Sequence, residues 1–379
     1  MAVAQALYIG IMTGTSLDGL DAVLADFSHA APRILASAAL PYPAPLRAEM
    51  LALQGANDGQ GLNELHRSRV AAIDLAALHA NAVQQLLAEA KITASAVQAV
   101  GAHGQTVRHA PHAGAHSYTV QLLDAARLAE ACGIRVITDF RARDIAAGGQ
   151  GAPLVPAFHA GLLRPLVLGN AKPAALCNIG GFANLTLLRS DGSISGSDTG
   201  PGNVLMDAWI QRHQGKPYDA GGLWAAQGKV NEPLLARLLA HPFFACPFPK
   251  STGREAFNLA WLDAQLQNHP TLTTQNVQAT LCELTARSIA QALQHEPPNA
   301  LYVCGGGAFN AHFMQRLAQL LPATLVRPSS DPALGVNPQH MEALAFAWLA
   351  RQCLLGLAGN VPAVTGAAGE RVLGAAYAA

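Results

Sequence analysis

The stretch Leu7-Tyr-Ile-Gly-Ile-Met-Thr-Gly-Thr-Ser-Leu-Asp-Gly-Leu-Asp-Ala-Val-Leu24 decides the fold. An apolar run enters a turn rich in glycine and small hydroxyl residues, and a second apolar run leaves it, which is typical of paired strands. Glycine permits positive φ and close backbone approach, so successive N–H groups of such a turn can point at one anion. The stretch therefore predicts a strand–turn–strand unit that binds phosphate.

A second stretch of the same design follows in the later half of the chain, Ala175-Leu-Cys-Asn-Ile-Gly-Gly-Phe-Ala-Asn-Leu-Thr-Leu-Leu188. Around the two turns the alternation of apolar and turn residues predicts two three-strand antiparallel meanders. Their predicted strands span 7–12, 20–27 and 34–41, and then 174–178, 184–188 and 193–196. Two such turns facing each other could grip a polyphosphate from both sides, which indicates an ATP-using enzyme with a duplicated core.

Each meander is followed by stretches with helical spacing, so we predict an α/β fold with two domains and a cleft between them. At 379 residues the chain is too long for one ordinary core. Residues 1–135, with about 360–379, are predicted to form the N-terminal domain, and residues 136–359 the C-terminal domain. The segment 139–156 carries few secondary-structure signals and many functional groups, which predicts a cleft loop or hinge.

Composition limits the classes of partner and the cellular compartment that we expect. Formal net charge is zero, so neither nucleic acid nor an anionic membrane, which need a basic face, is expected as a partner. The most apolar late segment, 343–359, is interrupted by Arg351 and Gln352 and is too short to span a membrane. Six scattered cysteines without a C-x-x-C pair predict buried free thiols, and the N-terminus lacks a basic signal region. We therefore expect a cytoplasmic protein.

The first turn carries the candidate phosphate and magnesium groups. Asp18 and Asp21 could hold Mg²⁺ through water, because magnesium favours oxygen ligands and keeps several waters. The alternative is an ordinary hairpin turn. The presence of a second turn of the same design disfavours this alternative. The predicted nucleotide-binding residues here are Gly14, Thr15, Ser16, Leu17, Asp18, Gly19, Leu20 and Asp21.

Two later glycine clusters extend the predicted nucleotide site. In 178–184 the glycines expose backbone, while Asn178 and Asn184 could instead fix the turn through their own side chains. In 304–310 three glycines between a strand and a helix could lie against adenine or ribose, or could serve tight packing. The predicted nucleotide-binding residues of these clusters are Asn178, Gly180, Gly181, Gly305, Gly306 and Gly307.

The segment Ser197-Asp-Thr-Gly-Pro-Gly-Asn203 is the most specific short motif. A carboxylate at a strand end, followed by a rigid Gly-Pro-Gly, is held still and suits a general base, which must lie within hydrogen-bond reach of the proton it takes. We predict that Asp198 is this base. The alternative is that Asp198 caps a helix over 204–211.

Three further segments, 103–106, 139–141 and 148–153, offer polar groups or a flexible approach to a substrate. Arg141 could bind a substrate carboxylate in a bidentate way, or could form an internal salt bridge with Asp139 or Asp144. Glu342, at the start of the last apolar helix, would by default interact with the helix dipole. The predicted substrate-binding residues are His103, Gln105, Thr106, Asp139, Arg141 and Glu342. Residues 250–255 could form either a surface loop or a cleft contact.

Taken together, these motifs resemble those of a known family. The order of two phosphate turns and a glycine-rich adenosine segment is similar to the sugar kinase, heat-shock ATPase and actin superfamily. Within it, the chain resembles anhydro-N-acetylmuramic acid kinase over nearly its whole length, in motifs at 12–21, 103–106, 139–141, 148–153, 197–203, 250–255 and 304–307. The resemblance implies a two-domain actin-like ATPase (ribonuclease H-like) fold with an interdomain cleft, ATP and Mg²⁺ as cofactors, and a homodimer.

The resemblance also implies a reaction, in which ATP, water and 1,6-anhydro-N-acetylmuramic acid give N-acetylmuramic acid 6-phosphate and ADP during peptidoglycan recycling. The bridging oxygen of that sugar is an ether without a proton to remove, so Asp198 would deprotonate a water that attacks the anomeric carbon. One rival is a kinase of another hexose or amino sugar, in which Asp198 would deprotonate a hydroxyl. Another is a non-catalytic nucleotide-dependent switch or filament protein.

Overall fold

A computed structural model describes residues 6–14, 17–29, 31–55, 63–267 and 271–379, so Thr15 and Ser16 of the first turn lie outside the described residues. Contacts divide the chain into two compact units. The first unit comprises Met1–Phe158 and His340–Ala379, and the second comprises His159–Gln339.

The first unit is built from strands and helices that alternate after an initial meander. Its elements are β1 (Leu7–Thr13), β2 (Gly19–Asp26), β3 (Arg33–Pro41), α1 (Ala44–Gln54), α2 (Glu64–Ala90), β4 (Val97–Ala102), β5 (Gln105–Ala110), β6 (Tyr118–Leu122), α3 (Ala125–Cys132), β7 (Val136–Thr138), α4 (Ala142–Ala146) and the start of α5 (Val155–Asn170).

The second unit repeats this plan, and the chain then returns to the first. The elements of the second unit after α5 are β8 (Ala174–Ile179), β9 (Phe182–Leu188), β10 (Ile194–Pro201), α6 (Val204–Gln214), α7 (Glu232–Leu239), α8 (Pro242–Ala245), α9 (Leu259–Leu266), α10 (Thr274–Leu293), β11 (Ala300–Cys304), α11 (Ala311–Leu320) and β12 (Leu325–Pro328). The returning elements are α12 (Met341–Leu355), α13 (Pro362–Thr365) and β13 (Ala375–Tyr377).

The two large sheets share one topology. In the first the strand order is β13-β7-β4-β1-β2-β3, and in the second it is β10-β9-β8-β11-β12. Each has an antiparallel meander whose first strand also pairs in parallel with the next strand along the chain, β4 or β11. Parallel pairing needs a long crossover, which the helices between the meander and the next strand supply. The predicted α/β fold with a duplicated meander is therefore confirmed.

Helices cover both faces of the first sheet. Side chains alternate along a strand, so Leu7 and Ile9 enter the core with α2 and α3, while Tyr8 packs with α12 on the other face. Helix α12 lies so close to the sheet that a Cβ on Gly10 or Gly101 would overlap its backbone. Glycine at these positions allows the helix to seat directly on β1 and β4.

The observed units differ from the predicted domain boundaries at 135/136 and 359/360. Strand β7 pairs with β4, and α12 packs on β1, so both belong to the first unit together with the loop between β7 and α5. The boundaries fall at Phe158/His159 and Gln339/His340 instead. These contacts are tertiary and leave no local mark in the sequence.

The most apolar long helix, Glu64–Ala90, could cross a membrane by length and composition alone. Half of its apolar window is buried in the structure, and Ala76, Val83 and Leu86 lie in the core that covers the first sheet. These contacts make α2 a core helix of its unit.

The cysteines match the expectation only in part. Cys132, Cys177, Cys282 and Cys304 are buried and free of disulfides, whereas Cys353 is half-buried and Cys246 is exposed. The prediction of a buried thiol is therefore wrong for Cys246.

Candidate active site

In the second unit, strand β10 carries Asp198 at a β-bulge. Asp198 pairs with Asn184 of β9 and Gly200 pairs with Ala183, so Thr199 is an extra residue on β10. A bulge bends the strand and re-aims the neighbouring side chains, and bulges are common beside active sites. Here the bulge follows directly after the predicted base.

The structure rejects the capping alternative for Asp198. Helix α6 begins at Val204 with Asn203 at its N-cap position, while Asp198 lies inside β10. The strand also extends to Pro201, well beyond the predicted end at residue 196. Proline is tolerated there because β10 is an edge strand of its sheet.

One carboxylate oxygen of Asp198 is fixed and the other is open. Oδ2 accepts a hydrogen bond from the Thr252 backbone N–H at 3.0 Å and from the Ser251 hydroxyl at 3.3 Å. Among the described residues, none donates to Oδ1. Burial raises the pKa of Asp198 to about 6, and the two hydrogen bonds oppose this rise. A carboxylate with such a pKa is ionised at neutral pH and is a stronger base than an exposed aspartate.

The second glycine turn leaves open space beside its backbone. A Cβ on Gly180 would approach Phe182 O only to 3.9 Å, and a Cβ on Gly181 would approach Val204 Cβ only to 3.8 Å. The carbonyls of this turn accept N–H groups of residues 202–204 at 2.8–3.0 Å, which fixes its conformation. A rigid turn with open space is what a phosphate group needs, so the residues present fit a nucleotide phosphate.

The third glycine cluster serves packing more than ligand access. A Cβ on Gly305 would lie 2.5 Å from Asn178 Oδ1, and a Cβ on Gly307 would lie 2.5 Å from Ile179 Cγ2. Only Gly306 has a looser environment, with Asn203 Nδ2 at 3.4 Å. The buried side chain of Asn178 therefore contacts Gly305, which favours the turn-fixing alternative for this asparagine; nucleotide contact by these residues stays a prediction.

In the first unit, polar side chains hold the first turn through hydrogen bonds to its backbone carbonyls. The amide of Gln105 accepts from the Tyr42 hydroxyl at 2.8 Å and donates to Gly14 O at 3.2 Å. The guanidinium of Arg47 donates from Nε to Leu17 O at 3.0 Å. Gln105 is fully buried and both ends of its amide are occupied, so its observed role is to hold the first turn.

Several residues predicted to bind nucleotide point their side chains into the protein. Leu17 and Leu20 are buried core residues, and a Cβ on Gly19 would overlap the backbone of Leu40 on β3. Leu17 also has a positive φ of 60°. If these residues contact nucleotide, they do so through backbone atoms, as the sequence pattern of the turn suggests.

His103 and Arg141 form a linked pair in the first unit. His103 Nδ1 donates to Thr13 O at 3.1 Å, and its Nε2 accepts from Arg141 Nε at 3.0 Å and Nη2 at 2.9 Å. Burial, together with the Arg141 charge, holds the pKa of His103 well below its usual value, so the ring is neutral. A neutral ring can accept from Arg141 and fix the orientation of its guanidinium.

The alternative for Arg141, an internal salt bridge, is absent among the described ion pairs, which join it to neither Asp139 nor Asp144. Its third contact is Gly151 O at 2.8 Å from Nη1. Burial lowers the pKa of Arg141 to about 10, and the carboxylate of Glu342 opposes that change. Burial in turn raises the pKa of Glu342, and Arg141 opposes it. The guanidinium thus keeps its charge without a direct anionic partner.

Hydrogen bonds anchor the loop from 139 to 156 at Asp144, while the approach to substrate expected of residues 148–153 stays a prediction. The buried Asp144 accepts hydrogen bonds from Asn360 Nδ2 at 2.7 Å, Thr365 Oγ1 at 2.8 Å and the Gly151 N–H at 2.8 Å. Helix α4 occupies part of the segment. These contacts set the Gly151 carbonyl that Arg141 binds.

The described residues offer few side chains that could bind magnesium. Asp18 and Asp21 are both exposed, and the described residues contain no group of three or more His, Cys, Asp or Glu side chains that could hold a metal. Two exposed carboxylates fit an ion that takes most of its ligands from phosphate oxygens and water. Magnesium binding through these residues stays a prediction.

Sequence reasoning missed the residues that support the site. Tyr42 and Arg47 hold the first turn, and Ser251 and Thr252 contact Asp198 across more than fifty positions of sequence. Thr252 Oγ1 is also buried without a partner among the described residues, so a bound water or ligand oxygen would satisfy it. Of these four residues, only Ser251 and Thr252 lie in a motif that the sequence had indicated, residues 250–255.

Comparisons with known proteins agree on one family. The family model described as anhydro-N-acetylmuramic acid kinase matches residues 6–379. Among similar relatives, the protein of that name from Pseudomonas putida is 52% identical, covering 99% of this chain and 100% of the relative. The one from Bordetella pertussis is 53% identical, covering 98% and 96%.

Solved structures with a similar fold include the (R)-2-hydroxyglutaryl-CoA dehydratase component A of Acidaminococcus fermentans. Its TM-score is 0.47 at 12% identity, covering 90% of this chain and 96% of that one. A ROK family glucokinase from Streptomyces griseus, in complex with glucose and AMPPNP, has a TM-score of 0.38 at 14% identity, covering 92% and 100%.

The glycine geometry predicts a separation of nucleotide binding from stability. Gly181→Val fills the open space of the second turn and should weaken ATP binding at least about tenfold while the unfolding midpoint stays near that of the parent. Gly307→Val should instead overlap Ile179 and lower the free energy of unfolding by about 1–3 kcal/mol. Titration calorimetry with ATP and urea unfolding measure the two effects.

Gly169→Val provides the matched control, because Gly169 is exposed on α5 with open space around it. Parent-like ATP affinity in Gly181→Val would contradict the assignment of this turn to phosphate.

Proposed function

We propose that this chain, which belongs to the anhydro-N-acetylmuramic acid kinase family, opens the 1,6-anhydro ring of its sugar and phosphorylates O6 in one reaction. ATP, water and anhydro-N-acetylmuramic acid would give N-acetylmuramic acid 6-phosphate and ADP. The observation that carries the proposal is the carboxylate of Asp198, with Oδ2 held by two hydrogen bonds and Oδ1 without a donor among the described residues.

Water is the nucleophile in the proposed reaction. Oδ1 of Asp198 takes a proton from the water as its oxygen bonds to the anomeric carbon, and the bond from that carbon to the bridging oxygen breaks. The bridging oxygen, which becomes O6, takes the γ-phosphoryl group of ATP, so ADP leaves and Asp198 ends protonated. Attack from the face opposite the leaving oxygen inverts the anomeric carbon.

The surroundings of Asp198 support this role for a base. Its pKa of about 6 lies close enough to neutral pH for the ionised form to predominate while proton affinity is raised. The Thr252 N–H and Ser251 hydroxyl occupy Oδ2, so the side chain keeps one orientation. A base held in place avoids the cost of orienting it in the transition state.

Residues of the first unit would recognise the sugar. Arg141 lacks an ion-pair partner among the described residues, and its guanidinium orientation is fixed by His103 and Gly151. A guanidinium with a fixed orientation and no ion-pair partner suits a carboxylate, such as that of the lactyl group on a muramic acid. We assign the carboxylate contact to Arg141 and sugar hydroxyl contacts to Glu342; contacts by Thr106 and Asp139 are further proposals.

The two glycine turns would bind the phosphates of ATP. In this proposal Gly180 and Gly181 supply open backbone in the second unit. The turn that Gln105 and Arg47 hold would supply backbone N–H groups in the first. Mg²⁺, when bound near Asp18 and Asp21, would neutralise charge on the transferring phosphoryl group. Backbone donors fixed before the reaction stabilise that charge without reorganising.

The cellular setting is proposed on the same basis. A sugar 6-phosphate formed from a 1,6-anhydro sugar fits the recycling of peptidoglycan fragments, and supply of ATP fits the cytoplasm. Four buried cysteines outside any disulfide agree with a reducing compartment. A homodimer is the assembly that we propose from the family.

Replacing the proposed base should abolish turnover without weakening ATP binding. Asp198→Asn keeps the shape and the acceptor oxygen of the side chain but cannot take a proton. We expect kcat to fall by about 10²–10⁴-fold, the usual contribution of a positioned base, while the Kd for ATP stays within about twofold. A coupled ADP-release assay and calorimetry measure both quantities.

Asp191→Asn is the matched control, since Asp191 is an exposed turn residue whose carboxylate accepts from the Ser193 N–H at 2.8 Å. Near-parent turnover by Asp198→Asn would remove Asp198 from the role of base.

The ring-opening step predicts the fate of the water oxygen. In ¹⁸O-labelled water the anomeric hydroxyl of the product should carry one label and the phosphate none, as read by mass spectrometry of product fragments. Unlabelled product in the same water corrects for exchange. Label in phosphate alone would indicate plain ATP hydrolysis, and phosphorylation of a free sugar without label would indicate an ordinary sugar kinase.

A further inference from the structure

The segment Lys250–Thr252 lies against the edge strand that carries Asp198. The Asp198 N–H donates to Lys250 O at 3.0 Å, and the Lys250 N–H donates to Ser197 Oγ at 3.0 Å. The segment therefore bonds to the backbone of β10 just before the bulge. The next two residues then supply both hydrogen bonds to Oδ2 of Asp198.

The ammonium of Lys250 is engaged inside its own unit. It donates to Phe243 O at 2.9 Å and to Phe244 O at 3.1 Å, both in the short helix α8. It also lies over the rings of Phe243 at 4.5 Å and Phe248 at 5.0 Å. Carbonyl oxygens and aromatic faces both attract a cation, so the charge is already well satisfied.

Helix α8 in turn contacts β10 beyond the bulge. A Cβ on Gly200, whose φ is 142°, would lie 2.9 Å from Phe244 Cε1. The strand is thus contacted before the bulge by the backbone of Lys250 and after it by Phe244, and the Lys250 ammonium joins the two contacts through α8. This arrangement fixes the part of β10 that presents Asp198.

We propose that Lys250, Ser251 and Thr252 form a positioning element for the base, in which Lys250 acts as an anchor of the segment and not as a ligand of phosphate. The inference rests on the proposed function of Asp198 as a base. The three residues touch neither phosphate nor the reacting atoms, so they act through Asp198.

The groups that set the protonation of Asp198 are few. Burial raises the pKa of Asp198, and the hydrogen bonds from the Thr252 N–H and the Ser251 hydroxyl lower it. No charged side chain of the described residues contributes to this shift. Lys250, the charged residue of the segment, directs its ammonium to α8. Loss of the Ser251 hydroxyl should therefore make Asp198 harder to ionise.

The first test uses Ser251→Ala, an exposed position that folding should tolerate. The acid limb of the kcat/KM profile should move to higher pH by about 0.5 unit, because a hydrogen bond to the charged form is lost. If Ser251 had a merely structural role, the acid limb would lie at the same pH in Ser251→Ala as in the parent. That result would overturn the orienting role.

The second test separates an anchor from a phosphate ligand. Lys250→Met should lower kcat at least about tenfold with the Kd for ATP unchanged within about twofold, and Lys250→Arg should recover part of kcat, since a guanidinium can also bind carbonyls. Lys229→Met, at an exposed position of the same unit, is the control and should behave as the parent. A weakened ATP affinity with kcat unchanged would overturn the anchor role.

The two proposals fail in different ways. If the parent chain turns over another sugar but not the anhydro sugar, the proposed reaction is wrong, and the shift of the acid limb can still be measured with that other sugar. If the parent turns over the anhydro sugar while Ser251→Ala keeps the parent profile, only the positioning role is wrong.

Discussion

A base that works near neutral pH must be partly removed from water and still keep one oxygen free for its proton, and Asp198 meets both demands on an edge strand. An edge strand alone would expose the carboxylate and leave its direction loose. The bulge at Thr199 turns the strand, and the Thr252 N–H and Ser251 hydroxyl hold Oδ2. The proposed chemistry depends on this small set of contacts, because they fix both the orientation and the proton affinity of the group.

The two meanders share a topology but hold their glycine turns by different means. In the first unit, buried polar side chains such as Gln105 and Tyr42 hold the turn from below. In the second, the glycine turn is held by the N–H groups of residues 202–204, which connect β10 to α6. The strand that carries Asp198 therefore leads directly into the segment that supports this turn. The duplication thus reuses one backbone plan with unrelated side chains, which explains why the repeat is visible as a strand pattern and not as residue identity.

The sequence predicted the strands of both meanders, because period-two alternation and glycine turns are local signals. It also placed Asp198, the candidate base, at the end of the third strand of the second meander, but missed the length of that strand, since a bulge with Gly-Pro-Gly interrupts the alternation that marks a strand. The domain boundary was missed because α12 returns to β1 through tertiary packing alone. In the same way, three consecutive glycines indicate bare backbone, yet only the fold reveals that Gly305 and Gly307 face Asn178 and Ile179.

The most direct test of the account is the titration of the Asp198 carboxyl itself in the full chain. Carbon-13 NMR of protein labelled at the aspartate carboxyl carbons follows this group, and the Asp198→Asn variant identifies its signal. We expect a midpoint near pH 6, because burial outweighs the two hydrogen bonds to Oδ2. A midpoint at about 4, the ordinary value of an exposed aspartate, would contradict it.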